Sequence, residues 1–211
     1  MNNNNKRVLE IIRRLKKKYP EAKIALHYDN PFQLLVAVIL SAQCTDKRVN
    51  LVTEELFKQY KSVKDFADAH IAELEQAIRS TGFFRNKAKN IKASAGLILK
   101  QFRGKIPQTM DDLLTLPGVA RKTANIVLGN GFGIIAGIAV DTHVIRVTNL
   151  LGLTKNSDPV KIEQDLMKIV PHDDWTIFSL LIQAHGRAIC IARRPQHSIC
   201  PLNDICPSAN I

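Results

Sequence analysis

The chain has 211 residues with 45% hydrophobic content, enough to bury one large core or two small ones, which excludes a disordered polymer as the default state. Thirty Lys and Arg stand against nineteen Asp and Glu, a net charge of +11 that favours a polyanionic partner such as nucleic acid. The longest apolar runs, residues 34–40 and 134–140, hold seven residues each, too few to cross a bilayer. The N-terminus, Met1-Asn2-Asn3-Asn4-Asn5-Lys6-Arg7, has no apolar stretch of signal type, so a cytoplasmic protein without a membrane partner is expected. In that reducing compartment the cysteines read as metal ligands, buried apolar groups or catalysts rather than disulfides.

Taken in order, the elements are almost all helical. Residues 2–5 are a low-complexity asparagine tract, expected to be disordered. Val8, Ile11, Ile12, Leu15 and Tyr19 recur at helical spacing, with Arg13, Arg14 and Lys16 to Lys18 on a solvated face and Pro20 as terminator. Pro31 suits a helix start, and residues 32–43 are apolar enough for a central helix. Further helices are expected over 46–60, 63–69 and 71–80, before a break at Gly82. Residues 86–102 form a long amphipathic helix and 110–115 a short one. Helix 121–130 follows, then an extended run over 134–140, a helix starting near Thr142, and helices over 159–170 and 175–188. No other β pattern and no internal repeat is present.

The richest stretch is Leu116-Pro117-Gly118-Val119-Ala120-Arg121-Lys122-Thr123-Ala124. Pro117 and Gly118 mark a tight hairpin that opens into a helix whose first amides suit a phosphate. A bare Pro-Gly would be an ordinary turn; here turn, helix start and amine fall in one register. Lys122 lies in the first turn of that helix, where the helix dipole and Arg121 both act against an ammonium. Such a lysine is a candidate nucleophile rather than a merely solvated residue. Val140-Asp141-Thr142-His143 supplies a carboxylate. The helix 121–130 runs outward by about 15 Å and an extended 134–140 returns up to about 23 Å, so Asp141 can arrive beside Lys122. Asp141 also suits the cap of the next helix, and one oxygen can cap while the other faces the site.

Cys190, His197, Cys200 and Cys206 crowd into seventeen residues near the C-terminus, a spacing that points to a metal or cluster. Cys44 lies apart from this group and reads as a buried apolar residue.

These motifs resemble the endonuclease III family of DNA glycosylases in the helix-hairpin-helix superfamily. The resemblance spans nearly the whole chain: Asn30-Pro31-Phe32, Leu40-Ser41-Ala42-Gln43-Cys44-Thr45-Asp46, Gly82-Phe83-Phe84-Arg85-Asn86-Lys87-Ala88, the hairpin, Val140-Asp141-Thr142-His143 and the cysteine group. It implies an all-α fold of two helical domains: a six-helix domain with the helix-hairpin-helix and a C-terminal iron–sulfur cluster domain, with a cleft between them. The expected boundaries are 23–135 for the first domain, and 1–22 with 136–211 for the second.

The resemblance also implies a nucleoid-associated, bifunctional repair enzyme for double-stranded DNA with a damaged pyrimidine or abasic site; no oligomer interface is evident in the sequence, so a monomer is expected. Lys122 matches the nucleophile that attacks the sugar and forms a Schiff base, and Asp141 the catalytic carboxylate. Gln43 matches the side chain that fills the space of the flipped base, and Phe83 the wedge, although each could be a plain exposed amide or core aromatic. Lys87 and the backbone of Gly118, Val119, Ala120 and Arg121 are expected phosphate contacts. Ala120 stands where the family commonly has glycine, a change expected to be harmless if its conformation is helical. Asp46 resembles a polar residue near the pocket and could equally cap a helix.

The family holds a [4Fe–4S] cluster on four cysteines, whereas this chain has His197 at the second position. Ligation by His197 with Cys190, Cys200 and Cys206 is the favoured expectation; a labile three-cysteine cluster or Zn2+ is the alternative. Arg187, Arg193 and Arg194 suggest a cluster loop lying against DNA, or a solvated basic loop. Competing functions are a monofunctional glycosylase, a non-catalytic DNA-binding module and a cluster-based redox sensor.

Overall fold

The computed structural model describes residues 3–209. Among them there are eleven α-helices, joined by 3-10 and π turns, and no strand. The first helix, α1 (Asn3–Lys18), buries Val8, Ile11, Ile12 and Leu15 on one stripe. Asn3 to Asn5 belong to this helix, contrary to the expectation of disorder. Asparagine is a poor helix former, but extending a helix already nucleated by an amphipathic run is far easier than starting one. Asn2 lies outside the described residues.

Residues Ala25–Ile134 form one compact unit. Its axis is α2 (Pro31–Leu40), in which every residue after Pro31 is buried. Pro31 occupies the first turn, where no amide is needed, and the Asn30 side chain accepts the Phe32 and Gln33 amides at 3.1 and 3.0 Å. The helix stops at Leu40 rather than continuing to Gln43: the chain tightens into i→i+3 turns at Ala42 and Cys44, and Gln43 has φ 53°, which a right-handed helix cannot hold. Thr45, not Asp46, caps α3 (Asp46–Gln59). Next come α4 (Val63–Asp68), closed by a Ser62–Asp65 capping box, α5 (Ile71–Ala77), and a 3-10 turn over Arg79–Thr81.

The long α6 (Phe84–Phe102) packs on α4, α5 and α2 through Ala88, Ile91, Ala95 and Ile98. The short α7 (Met110–Leu114) leads through the hairpin into α8 (Arg121–Ile126), which packs on α2 and α7. The chain continues as a π-helical turn over Val127–Phe132 before Gly133 ends it. Counted with five-residue α7, this unit holds seven α-helices where the resemblance implies six.

The described residues up to Ile24 and from Ile135 onward form a second compact unit. Residues 134–140 carry no regular structure and no strand partner, yet Ile138 to Val140 are buried. They lead to α9 (Thr142–Leu150), α10 (Pro159–Ile169) and α11 (Trp175–Ala188). The core gathers the α1 stripe, Val144 and Val147 of α9, Ile162 and Leu166 of α10, and Phe178, Leu181 and Ile182 of α11. Gly186 lets α11 approach α9: a Cβ there would lie 3.0 Å from His143 Nδ1 and 3.2 Å from Arg146 Nη2. Beyond Ile189 the backbone is turns, with one 3-10 turn at His197–Ile199.

Arg14 departs from the expected solvated face of α1, and Arg7, outside that face, is likewise an anchor. Arg7 donates to Leu151 O (2.8 Å), and Arg14 to Pro201 O (2.9 Å) and Asp204. Arg14 also pairs with Glu10, and Arg13 and Arg14 together hold the Glu10 carboxyl down at about 2. No helix among the described residues is long and apolar enough to cross a membrane.

Candidate active site and metal centre

The hairpin is held by its own unit. Gly118 has φ +80°, a conformation L side chains rarely adopt. A Cβ there would also meet Asn90 of α6 at 2.9 Å. Ser94 of α6 donates to Pro117 O at 2.8 Å, and Leu116 and Val119 are buried beneath the turn. Gly118 and Ala120 stand exposed, as a phosphate contact requires. The Val119 amide does not: it closes the turn onto Leu116 O at 3.1 Å, so its expected phosphate contact is corrected.

Ala120 caps α8 in an extended conformation, φ −102° and ψ 172°. It is not helical, as the sequence reading supposed, but any residue adopts that geometry, so the backbone has no need of glycine there. Arg121 and Lys122 follow as the first two residues of α8, and the Lys122 side chain is exposed. Asp141 belongs to the other unit. It caps α9, accepting the Val144 amide on Oδ1 at 2.8 Å, and is half-buried.

Gln43 and Phe83 share an unusual property. Both have positive φ, 53° and 46°, which is costly for side chains of this kind and concentrates at functional sites. Both are exposed, Phe83 to 63%. That exposure answers the alternative of a core aromatic.

Lys87 does the opposite. It is 4% exposed, and its ammonium donates to Leu40 O and Thr81 O, each at 2.8 Å. Burial lowers its pKa. The expected phosphate contact is therefore corrected: this ammonium faces inward and two of its donors are taken.

Cys190, His197, Cys200 and Cys206 line one predominantly apolar cavity of about 200 Å3, floored by Val147, Leu151 and Leu202. Among the described residues they do not converge into a finished ligand set. Burial pushes the Cys190 and Cys200 thiols up, so a metal must displace their protons on binding. Cys44 is half-buried and lies in the other unit.

Two further residues bear on this site without a clear sequence signal: His185, which lines the cavity, and Tyr19, which contacts His185. His185 of α11 is 2% exposed, with Nε2 3.7 Å from Cys200 Sγ and Nδ1 3.2 Å from the Tyr19 hydroxyl. Burial drives the His185 imidazole down to about 4 and the Tyr19 phenol up to about 12. With both neutral, Tyr19 can donate to Nδ1 and Nε2–H to the sulfur, the usual support for a ligating group. His185 lies five residues before Cys190, a faint signal; Tyr19 had none.

With this geometry in view, comparison with known proteins is decisive. Residues 36–172 match the HhH-GPD superfamily of base excision DNA repair proteins, and residues 190–206 the iron–sulfur binding domain of endonuclease III. The endonuclease III of Synechocystis sp. is 56% identical over 203 residues, covering 96% of this chain and 93% of its own. An endonuclease III solved in a non-covalent complex with DNA matches with a TM-score of 0.92 and 41% identity, covering 99% of this chain and 97% of its own. A trapped endonuclease III–DNA covalent intermediate matches with the same TM-score and identity, covering 99% and 98%. A hairpin built for backbone contact, an amine at the head of the following helix and an iron–sulfur binding segment thus occur together in a chain that belongs to the endonuclease III family of base excision DNA repair proteins.

Proposed function

We propose that this chain excises oxidised pyrimidines from double-stranded DNA and cleaves the resulting abasic strand, with Lys122 as nucleophile and Asp141 as the catalytic carboxylate. The observation that carries this reading is the exposed Lys122, two residues into a helix whose cap follows directly on the Gly118 turn. Exposed backbone at Gly118 and Ala120, with Arg121, suits an adjacent phosphate and would bring the deoxyribose to the amine. The flipped nucleotide is needed because its sugar carbon is unreachable within the stack.

The Lys122 amine attacks C1′, and the glycosidic bond breaks with its electron pair leaving on the base, which takes up a proton. Asp141, anchored by its cap to Val144, stabilises the positive charge that develops on the sugar. The C1′–O4′ bond then breaks, O4′ takes up the proton lost from the lysine nitrogen, and the opened sugar is held as a Schiff base, which acidifies the C2′ hydrogen. Loss of that proton expels the 3′ phosphate by β-elimination, and water releases the lysine. The trapped covalent intermediate of the related endonuclease III with DNA supports a covalent route. The proposed contacts to DNA are Gln43 in the vacated space, Phe83 as wedge, and Gly118, Ala120 and Arg121 at a phosphate.

Cys190, His197, Cys200 and Cys206 would hold a [4Fe–4S] cluster, and the shared apolar cavity with three sulfurs fits that group. When bound, such a cluster supplies a rigid, redox-responsive cross-link. Iron and acid-labile sulfide in the purified protein test this; equimolar zinc without sulfide reverses the assignment, since three cysteines and a histidine also suit Zn2+.

Borohydride trapping on duplex DNA with an abasic site or an oxidised thymine tests the catalytic reading. Wild type should form a covalent adduct and Lys122→Ala none. Asp141→Asn keeps an oxygen for the cap, so it should remain folded and lose about 10²–10⁴ in base release. Binding without any adduct in wild type would leave a non-catalytic DNA-binding module.

A further inference from the structure

The inward-facing Lys87 ammonium joins the ends of two separate elements. Leu40 is the last residue of α2, so its carbonyl lacks an intrahelical partner and lies at the negative end of the helix dipole. Thr81 ends the 3-10 turn before α6. From these two carbonyls the chain runs three residues to Gln43 and two to Phe83, the two exposed side chains held at φ 53° and 46°. One buried ammonium grips both carbonyls at 2.8 Å. Lys87 itself is fastened to the second turn, its amide donating to Phe83 O at 3.1 Å. Burying a charge against carbonyls, with no carboxylate partner among these contacts, is costly. An apolar side chain would fill the same space more readily but could not join two backbone segments.

We infer that Lys87 is a positioning residue that locks the Gln43 turn and the Phe83 turn into one rigid probe, so that both side chains enter the base stack together. The inference rests on reading Gln43 and Phe83 as the residues that enter DNA. Lys87 touches no substrate; it acts through the backbone of the two turns. Held separately, each turn could relax out of its left-handed conformation, and the gap left by a flipped base would be filled from one side only.

The test is Lys87→Met, which keeps length and loses the donors, alongside Lys87→Arg, which keeps charge and donors. Single-turnover excision from a duplex with oxidised thymine should fall about 10- to 100-fold in Lys87→Met, the scale of a misplaced group, and recover in part in Lys87→Arg. Trapping on an abasic single strand, where no stack is entered, should be unchanged. In a Gln43→Ala/Phe83→Ala background, Lys87→Met should have no further effect on duplex excision. A purely structural role would depress both substrates alike, and the loss would persist in that background; either result overturns the inference.

Hydrogen exchange on the wild-type protein without DNA needs no variant. Amides of residues 41–44 and 81–84 should open in a single correlated event across a denaturant series, and independent opening would also overturn it. If Gln43→Ala and Phe83→Ala each leave duplex excision intact while exchange is correlated, it is the reading of those two side chains that fails.

Discussion

The hairpin and the cysteine segment both carry residues that define this family, and they are built in opposite ways. In the hairpin each bend has a protein cause: Gly118 at φ +80° against Asn90, Pro117 O held by Ser94, Val119 closing on Leu116. In residues 190–206 regular structure is limited to one 3-10 turn, and the four candidate ligands surround a cavity without meeting. That segment is held from outside by Arg7 and Arg14 of α1, by His185 of α11 at Cys200 and by Leu150 O of α9 at Cys206. The lesson is that the hairpin is shaped by bonds within a few residues and one neighbouring helix, whereas the cysteine segment has little regular structure of its own and is fastened by side chains from distant helices.

The largest effect expected on this contrast is chemical. Lys122→Arg preserves charge and helix, but a guanidinium stays protonated and cannot attack. Strand cleavage should fall by more than about 10³-fold, with DNA affinity retained in a gel-shift assay. Lost affinity instead would mean that the helix start, not only its amine, had changed. Gly118→Ala attacks the hairpin shape itself. Backbone strain and the approach to Asn90 should cost about 1–3 kcal/mol in urea unfolding, and Asn90→Ala in the same chain should return part of that loss. Chelation of the metal should leave the size of this penalty unchanged, because the hairpin does not depend on the cluster.

The cysteine segment should respond differently. His197→Ala should lose iron and sulfide faster on dilution than wild type, and His197→Cys should retain them longer with a lower reduction potential. Equal retention in all three would remove His197 from the ligand set. The smallest effect concerns the unit that carries this segment. Thr154 and Asn156 donate to the Asp165 carboxylate at 2.7 and 2.6 Å and hold it below the usual range. A carboxylate depressed in the folded state adds stability above its unfolded pKa, near 4, and loses it as pH falls through the folded value. The difference in urea midpoint between wild type and Asp165→Ala should be constant from about pH 7 to 5 and shrink below about pH 4. A difference that grows on acidification would refute that linkage.

Local rules carried much of the reading. Helical spacing marked the buried stripe of α1, Asn30-Pro31 the start of α2, and Pro117-Gly118 the hairpin, because caps, prolines and glycines act within a few residues of themselves. The hairpin also put Lys122 at a helix start, and the cysteine spacing brought four candidate ligands to one segment. Other features depended on partners distant in the chain. That Lys87 is an inward tie and not a phosphate contact follows from Leu40, 47 residues away. That Arg14 is an anchor follows from Asp204, 190 residues away, and that His185 faces Cys200 follows from how α11 packs. Sequence by itself determined which elements form and which chemical groups are available. Only the tertiary structure decided which charged groups face inward, since burial and hydrogen-bond partnership are properties of packed surfaces that no single segment possesses.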